Sequence, residues 1–344
     1  MSLRHLISFG STAAAALVAA TLVGMPSSAA QTTLRLSLDS RLEAPAGLFL
    51  LPHDKGYYKA AGVEVTVDEA ASTLEAISRV AAGGYEMAFA DINALIKYRD
   101  QHPAAPIKAV FMVYNKPPYA IVGRKSRGIG EPKQLEGKRL GASTTSATYA
   151  QWPLFAKLNG LDLSRVTIET IATPVRAPML AAGQLDAVLG FSFRVYIDVK
   201  DRGVPVDDIV LLPMANYGLK LYGNAIIVNT RFAADKPEAI KAFLNAFLRG
   251  LKEAVRRPAE AADSVVRRND LAKREVELER LQMAIKDNIV TPEVRTHGYG
   301  AVMTARIEES IEQIALAHAF KIKPKPDDIF DASYLPPAAE RKVN

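Results

Sequence analysis

The run Gly141-Ala142-Ser143-Thr144-Thr145-Ser146 is the densest set of residues in this chain suited to holding a small molecule. An apolar strand end, then four hydroxyl side chains, then a helix start aims free backbone N–H groups and hydroxyls at one point. Such a place suits a carboxylate, sulfonate or phosphate. A helix cap takes one hydroxyl of the four, so Ser143, Thr144 and Thr145 are candidates for ligand contact, with capping as the competing use. Three other apolar stretches end in polar residues: Leu38-Asp39-Ser40, Ala90-Asp91-Ile92-Asn93 and Gly190-Phe191-Ser192-Phe193-Arg194. Asp39 and Asp91 suit either ligand contact or helix capping. Phe191 can stack on, and Arg194 pair with, a small acid, while Phe193 belongs to the core if Phe191 does not. Arg176 stands at a helix start beside Pro174, where a cation is disfavoured, so either an anionic partner or plain solvation keeps it there. Tyr114 supplies an aromatic wall.

The signatures of catalysis are missing. His53, His102, His297 and His318 show no i, i+4 pair on one helix, so a metal site has little support and none is expected. There is no Gly-x-Ser-x-Gly elbow, phosphate loop or dinucleotide fingerprint, and no cofactor is expected. The 344 residues contain no cysteine, which removes thiol nucleophiles and thiolate metal sites. Trp152, one turn past the hydroxyl run, reads as core.

The elements that must position these residues alternate. Leu34–Leu38, Val63–Val67, Met87–Ala90, Lys108–Tyr114 and Ala120–Gly123 read as strands, with helices over 73–82 and 92–99. A second cycle places strands at 139–142, 166–171, 187–190, 209–212 and 224–228, with helices through 152–158, 175–182 and 195–201. Beyond it the chain is almost wholly helical, over 237–255, 258–268, 275–287 and 303–320. Strand–helix alternation predicts parallel sheets covered on both faces. Two cycles followed by helices predict two lobes: lobe one from 31–121 and 224–320, lobe two from 122–223, and an extended polar tail over 321–344. Two crossings form a hinge, and ligands of open α/β sheets sit outside the carboxyl ends of strands, so the expected site is the cleft between lobes.

Arg4 and His5 begin a short basic segment followed by an apolar run to Val23, a break at Met25-Pro26 and the small-residue pattern Ser28-Ala29-Ala30. This is the pattern of a cleaved secretory signal over residues 1–30. The apolar run is too short for a roughly 30 Å hydrocarbon core. The chain is therefore expected to be exported and, without a cysteine for lipid attachment, free in the periplasm. The 43 Lys and Arg against 37 Asp and Glu leave +6, spread along the chain. Its densest basic cluster, Arg256-Arg257 with Arg267-Arg268, is interrupted by Glu260 and Asp263 and lacks aromatics, which reads as a solvated helix face and not a nucleic-acid surface.

Gly56-Tyr57-Tyr58-Lys59-Ala60-Ala61-Gly62-Val63-Glu64-Val65 resembles a segment of the solute-binding proteins of ABC importers, in the group that binds thiamine pyrimidine precursors, alkanesulfonates and taurine. Phe89–Leu95, Leu135–Gly141, Leu180–Ala187 and Leu221–Val228 continue the resemblance in order. It implies the two-lobed periplasmic binding protein fold (type II, α/β), closing on a small molecule and delivering it to an inner-membrane permease. Tyr222-Gly223-Asn224 is most similar to the pyrimidine-precursor branch. That branch reads Asp-Trp after its first strand where this chain has Asp39-Ser40, and commonly carries Asn and Glu where this chain has Phe193, Arg194 and Val195. An arginine in place of a carboxylate favours an acid, either sulfonate or carboxylate, over an aminopyrimidine. The family's cytoplasmic pyrimidine-making enzymes use a cysteine-rich motif that this chain lacks, so no enzymatic activity is expected. The expectation is a monomeric receptor with Asp39, Asp91, Tyr114, Ser143, Thr144, Thr145, Arg176, Phe191 and Arg194 around its ligand. The alternatives are a thiamine pyrimidine precursor as ligand, or a sensor docking to a signalling receptor.

Overall fold

The computed structural model describes residues 31–343, so the expected signal over 1–30 lies outside the described residues. Ten strands form two five-stranded sheets: β1 (Thr32–Leu38), β2 (Val63–Asp68), β3 (Met87–Asp91), β4 (Ile107–Met112), β5 (Tyr119–Arg124), β6 (Arg139–Ala142), β7 (Thr167–Thr170), β8 (Ala187–Phe191), β9 (Ile209–Pro213) and β10 (Asn224–Asn229). The orders are β2-β1-β3-β10-β4 and β7-β6-β8-β5-β9, the same pattern twice. Central strands are apolar except at their ends because both faces are covered: β3 and β10 are buried at every residue, the terminal Asp91, Asn224 and Asn229 included. Edge strand β2 alternates instead, with Val63 and Val65 inward and Glu64 and Thr66 outward.

The sheets are mixed, which corrects the expectation of parallel ones. β10 runs antiparallel to β3 and β4, and β5 antiparallel to β8 and β9. These are the strands by which the chain enters each sheet from the other. A strand arriving from the opposite sheet starts at the end where its parallel neighbours finish, so it must run against them. β5 also lies wholly in the second sheet, so the crossing expected near Val122 falls earlier, over 113–118, where Pro117 and Pro118 cannot extend a ladder.

The first sheet is backed by the helix Pro237–Arg256, whose buried residues Ile240, Phe243, Leu244, Phe247, Leu248 and Leu251 fall at helical spacing. Phe247 stacks on Phe49 at 4.8 Å and Phe243 on Tyr58 at 5.2 Å. Trp152 is core, stacked on Phe155. The segment beyond 320 departs from the extended polar tail expected. It carries a helical turn, Pro326–Ile329, buries Ile329 and Phe330, and bonds Asp331 N to Ala109 O on β4 at 2.9 Å. Ile329-Phe330 is an apolar pair that a window average over a Pro- and Lys-rich segment conceals.

The two crossings are laced together backbone to backbone. Gly223 N donates to Tyr114 O at 2.9 Å, and Val113 N and Tyr114 N both reach Asn224 O. Behind them Arg306 donates to Asn115 O at 2.9 Å and Leu221 O at 2.8 Å, one carbonyl from each crossing. Its guanidinium lies 3.9 Å from the centroid of the Tyr222 ring and 2.9 Å from Glu293, which also accepts from Tyr222 Oη. A π-helical segment, Ile285–Ile289, adds a reciprocal pair between Asn288 and Lys116.

Gly223 has no room for a side chain. A Cβ there falls 2.8 Å from Tyr114 Cβ and 3.2 Å from Pro117 Cα. Gly223→Ala should therefore destabilise the protein by about 1–3 kcal/mol through overpacking, read as a melting temperature several degrees lower. An unchanged melting temperature would show that the crossings are loosely packed.

Candidate functional site

The four strand ends singled out from the sequence meet at the seam between the sheets. A cleft there, with an empty volume of about 490 Å³ partly open to solvent, is lined from the first sheet by Asp39, Ser40, Ser72 and Thr73. The second sheet contributes Ser143, Thr145, Ser146, Thr148, Arg176 and Phe191. A second space of about 830 Å³ shares Ser72, Thr73, Thr145 and Ser146 with it and adds Asp91, Lys97 and Thr144. Among the expected residues, Asp39, Ser143, Thr145, Arg176 and Phe191 thus line the cleft itself. Asp91 and Thr144 line its extension.

Capping accounts for part of the polar display. Ser146 Oγ accepts from Tyr149 N at 3.1 Å, so the fourth hydroxyl of the run is the cap and Ser143, Thr144 and Thr145 are spared. Ser143 and Thr145 hydroxyls lie 3.2 Å apart. Asp91 does both jobs: Oδ1 caps the helix Ile92–Gln101 through Ala94 N at 2.8 Å, and Oδ2 accepts from Tyr119 Oη. Asn93 then ties the crossings to this point, donating to Tyr119 Oη at 2.8 Å and Tyr222 O at 2.7 Å.

Pairing register brings in residues that sequence reasoning missed. Asn224, first in β10, lies opposite Asp91, last in β3; Tyr119, first in β5, lies opposite Phe191, last in β8. Asn224 Nδ2 donates to Asp39 Oδ2 at 2.7 Å. The available signal was a polar residue heading an otherwise apolar strand, at Asn224 and again at Tyr119.

Asn224 Oδ1, Asn93 Oδ1, Tyr114 Oη, Thr148 Oγ1, Glu43 Oε2 and Arg194 Nε are buried without a hydrogen-bond partner among the described residues, and of these residues Thr148 lines the cleft. Buried polar atoms are seldom left so, and each costs on the order of 1–3 kcal/mol unless a ligand or water satisfies it. Tyr114 is packed between Phe89 and Phe193, and burial with the charge of Asp39 pushes its phenol well above the usual range. Burial likewise raises Asp39 above the ordinary carboxylate range, against the opposing pull of Asn224 and Arg194.

The two arginines part company. Arg176 is buried in the cleft wall, donating to Leu189 O at 2.5 Å and Thr173 O at 3.3 Å, and no carboxylate lies within ion-pair distance among the described residues. Burial, then the neighbouring charge of Arg194, bring its pKa down to about 10. Arg194 stands in the first turn of the helix Ser192–Asp201 and points to Glu43, at 2.6 Å, instead of the cleft. It was expected as an anion contact, and Glu43, far away in sequence, gave no hint of the pairing. Phe193 is core, as the alternative to Phe191 required.

The geometry provides the Asp39 carboxylate from the first sheet, a guanidinium and hydroxyls from the second, and a ring face at Phe191, whereas Tyr114, expected as an aromatic wall, is core and outside the lining. Among the described residues no group of three His, Asp or Glu side chains is arranged to hold a metal ion, and no helix is long and apolar enough to cross a membrane. None of the four histidines after residue 30 lines the cleft: His53 lies beside Asp54, and His318 pairs with Asp100.

Two mixed sheets of the same strand order, with a cleft at their seam, match the periplasmic binding protein fold, and solved structures agree. The aliphatic sulphonate-binding protein SsuA of Escherichia coli superposes with a TM-score of 0.67 over 91% of this chain and 97% of its own, at 13% identity. Residues 46–261 match the family described as "NMT1/THI5 like", and the chain belongs to that family. The riboflavin-binding protein RibY of Chloroflexus aurantiacus is 25% identical over 238 residues, 68% of this chain and 65% of that protein. The 4-amino-5-hydroxymethyl-2-methylpyrimidine phosphate synthase of Schizosaccharomyces pombe is 25% identical over 219 residues, 61% and 62% of the two chains. The chain therefore spans somewhat less than two thirds of the length of these curated relatives.

Asp91 supplies a pH test. Burial raises its pKa to about 6, above the unfolded value of 3.8, with Asp39 adding to the rise. A raised carboxyl binds more protons when folded, so its contribution to stability falls as pH climbs from about 4 to about 6 and is flat beyond. The shift is worth roughly 2–3 kcal/mol at neutral pH. Denaturant unfolding of Asp91→Asn against the unaltered protein between pH 4 and 7 should show the variant gaining relative stability by about that amount. Parallel profiles would show that Asp91 titrates normally.

Proposed function

We propose that this protein is an exported solute-binding protein that captures a small polar heterocycle, of the aminopyrimidine or flavin type, and passes it unaltered to a membrane permease. The observation carrying this reading is the Asp39 carboxylate in the cleft lining. Asp39, held by the buried Asn224, suits a ligand edge bearing N–H groups. Arg176 and the hydroxyls of Ser143 and Thr145 suit a carbonyl or ring-nitrogen acceptor on the opposite edge, and Phe191 suits the ring face. The two curated relatives carry names pointing the same way, one to riboflavin and one to a phosphorylated aminopyrimidine. Binding without chemistry is supported by a chain with no cysteine and by histidines placed away from the cleft. A sulfonate or carboxylate is the second reading, favoured by Arg176 and the hydroxyl run; the Asp39 carboxylate in the same cleft weighs against it.

A thermal-shift screen separates these readings. Riboflavin, 4-amino-5-hydroxymethyl-2-methylpyrimidine, taurine and methanesulfonate are each tested on the purified protein. A ligand at about a hundred times its Kd stabilises the native state by roughly 2.7 kcal/mol, a shift of several degrees. A heterocycle should give this shift, and Asp39→Ala should weaken its binding at least about tenfold by removing a charge-assisted hydrogen bond. Stabilisation by the sulfonates alone, untouched by Asp39→Ala, would overturn the proposal. For transport, cells lacking the gene should lose high-affinity uptake of the same compound.

A further inference from the structure

Glu43 lies outside the cleft lining, yet it is the ion-pair partner of Arg194, which stands beside the cleft. It precedes the short helical turn Ala44–Ala46, and its Oε2 is 2.6 Å from Arg194 Nε and 3.9 Å from Arg280 Nη1. Arg280 is held in turn by Glu277 at 2.5 Å and by Asp198, and Glu277 accepts from Ala44 N at 2.6 Å. The Glu43 and Arg194 side chains are only 21% and 13% exposed, so the pair is screened weakly compared with a surface ion pair. Arg194 also reaches Ser40 Oγ at 3.3 Å, and Ser40 lines the cleft beside Asp39.

Two guanidiniums therefore approach one end of the cleft. Arg176 is the one arginine among the described lining residues, and Arg194 is near enough for the charges to be felt mutually. The Glu43 carboxylate, although burial opposes its ionisation, is kept below the ordinary range by Arg194, Arg280, Arg41 and Arg176. Without that charge, Arg194 has no carboxylate at salt-bridge distance other than through rearrangement, and Ser40 is its adjoining contact.

We propose that Glu43 is a specificity-determining residue: by holding Arg194 it leaves a single guanidinium facing the solute, and so sets the cleft against anions. This rests on the cleft being the solute site, as proposed above. Removing the carboxylate turns two arginines and the Ser40, Ser143 and Thr145 hydroxyls into a dibasic anion site.

Titration calorimetry with methanesulfonate as the anion probe tests this. Glu43→Gln should bind methanesulfonate about tenfold more tightly than the unaltered protein, the worth of one added charge-assisted hydrogen bond. Glu43→Asp, which keeps the charge, should show no comparable gain, and Glu43→Gln/Arg194→Gln should lose it. No gain in Glu43→Gln, an equal gain in Glu43→Asp, or a gain that survives in the double variant would overturn the proposal. If Glu43→Gln melts too low to titrate, Arg194→Gln alone decides. Its methanesulfonate affinity should match the unaltered protein, whereas a loss as large as that from Arg176→Gln would contradict the assignment. Riboflavin and the aminopyrimidine are titrated in parallel on the unaltered protein. Their failure counts against the function proposed above, while the methanesulfonate series reads Glu43 by itself.

Discussion

The backbone closure of the two crossings at Gly223 is the constraint on which the rest of the molecule depends. Gly223 N binds Tyr114 O, Asn224 O accepts from Val113 and Tyr114, and Ile92 N binds Gly223 O. The absence of a side chain at Gly223 lets the Tyr114 and Pro117 backbone come this close. From that junction β10 enters the first sheet with Asn224 beside Asp91, and β5 enters the second with Tyr119 beside Phe191. The second sheet repeats the device, with Ser192 N bound to Pro118 O as Ile92 N is to Gly223 O. One steric allowance thus delivers polar residues from four strands to one seam.

Electrostatics then decides what the seam can hold. Two carboxylates, Asp39 and Asp91, share its first-sheet side, and each has its pKa raised by burial. Asp91 is satisfied internally by Tyr119 and Ala94, which makes it part of the frame. Asp39 lines the cleft with its carboxylate held by Asn224, so it is the acceptor this corner offers. On the other side, the ion pairs of Glu43, Arg194, Arg280, Asp198 and Glu277 absorb most of the strong charges before they reach solute. Buried ion pairs add little net stability on average, and their use here lies in fixing which charge faces inward.

Much of this was legible in the sequence because it is local. Strand–helix alternation, polar residues at strand ends, and a surplus of hydroxyls beyond the one cap at Ser146 all follow from periods of two and 3.6 residues and from capping chemistry. The antiparallel strands were not legible, since direction is set by the crossing and not by the strand's own residues. Nor was the fate of Arg194, because its partner Glu43 stands in the loop after β1, far away in sequence, and carries no pattern of its own. Asn224 and Tyr119 were visible as polar heads of apolar strands, but only register shows what they face.

The central claim is that the seam takes a heterocycle by its donor edge at Asp39. A crystal structure of the protein grown with 4-amino-5-hydroxymethyl-2-methylpyrimidine tests it most directly. The account predicts an intact ring against Phe191, with a ring or amino nitrogen within hydrogen-bond distance of Asp39 and an acceptor toward Arg176. Density for the compound outside the seam, or for a chemically altered product within it, would contradict the account.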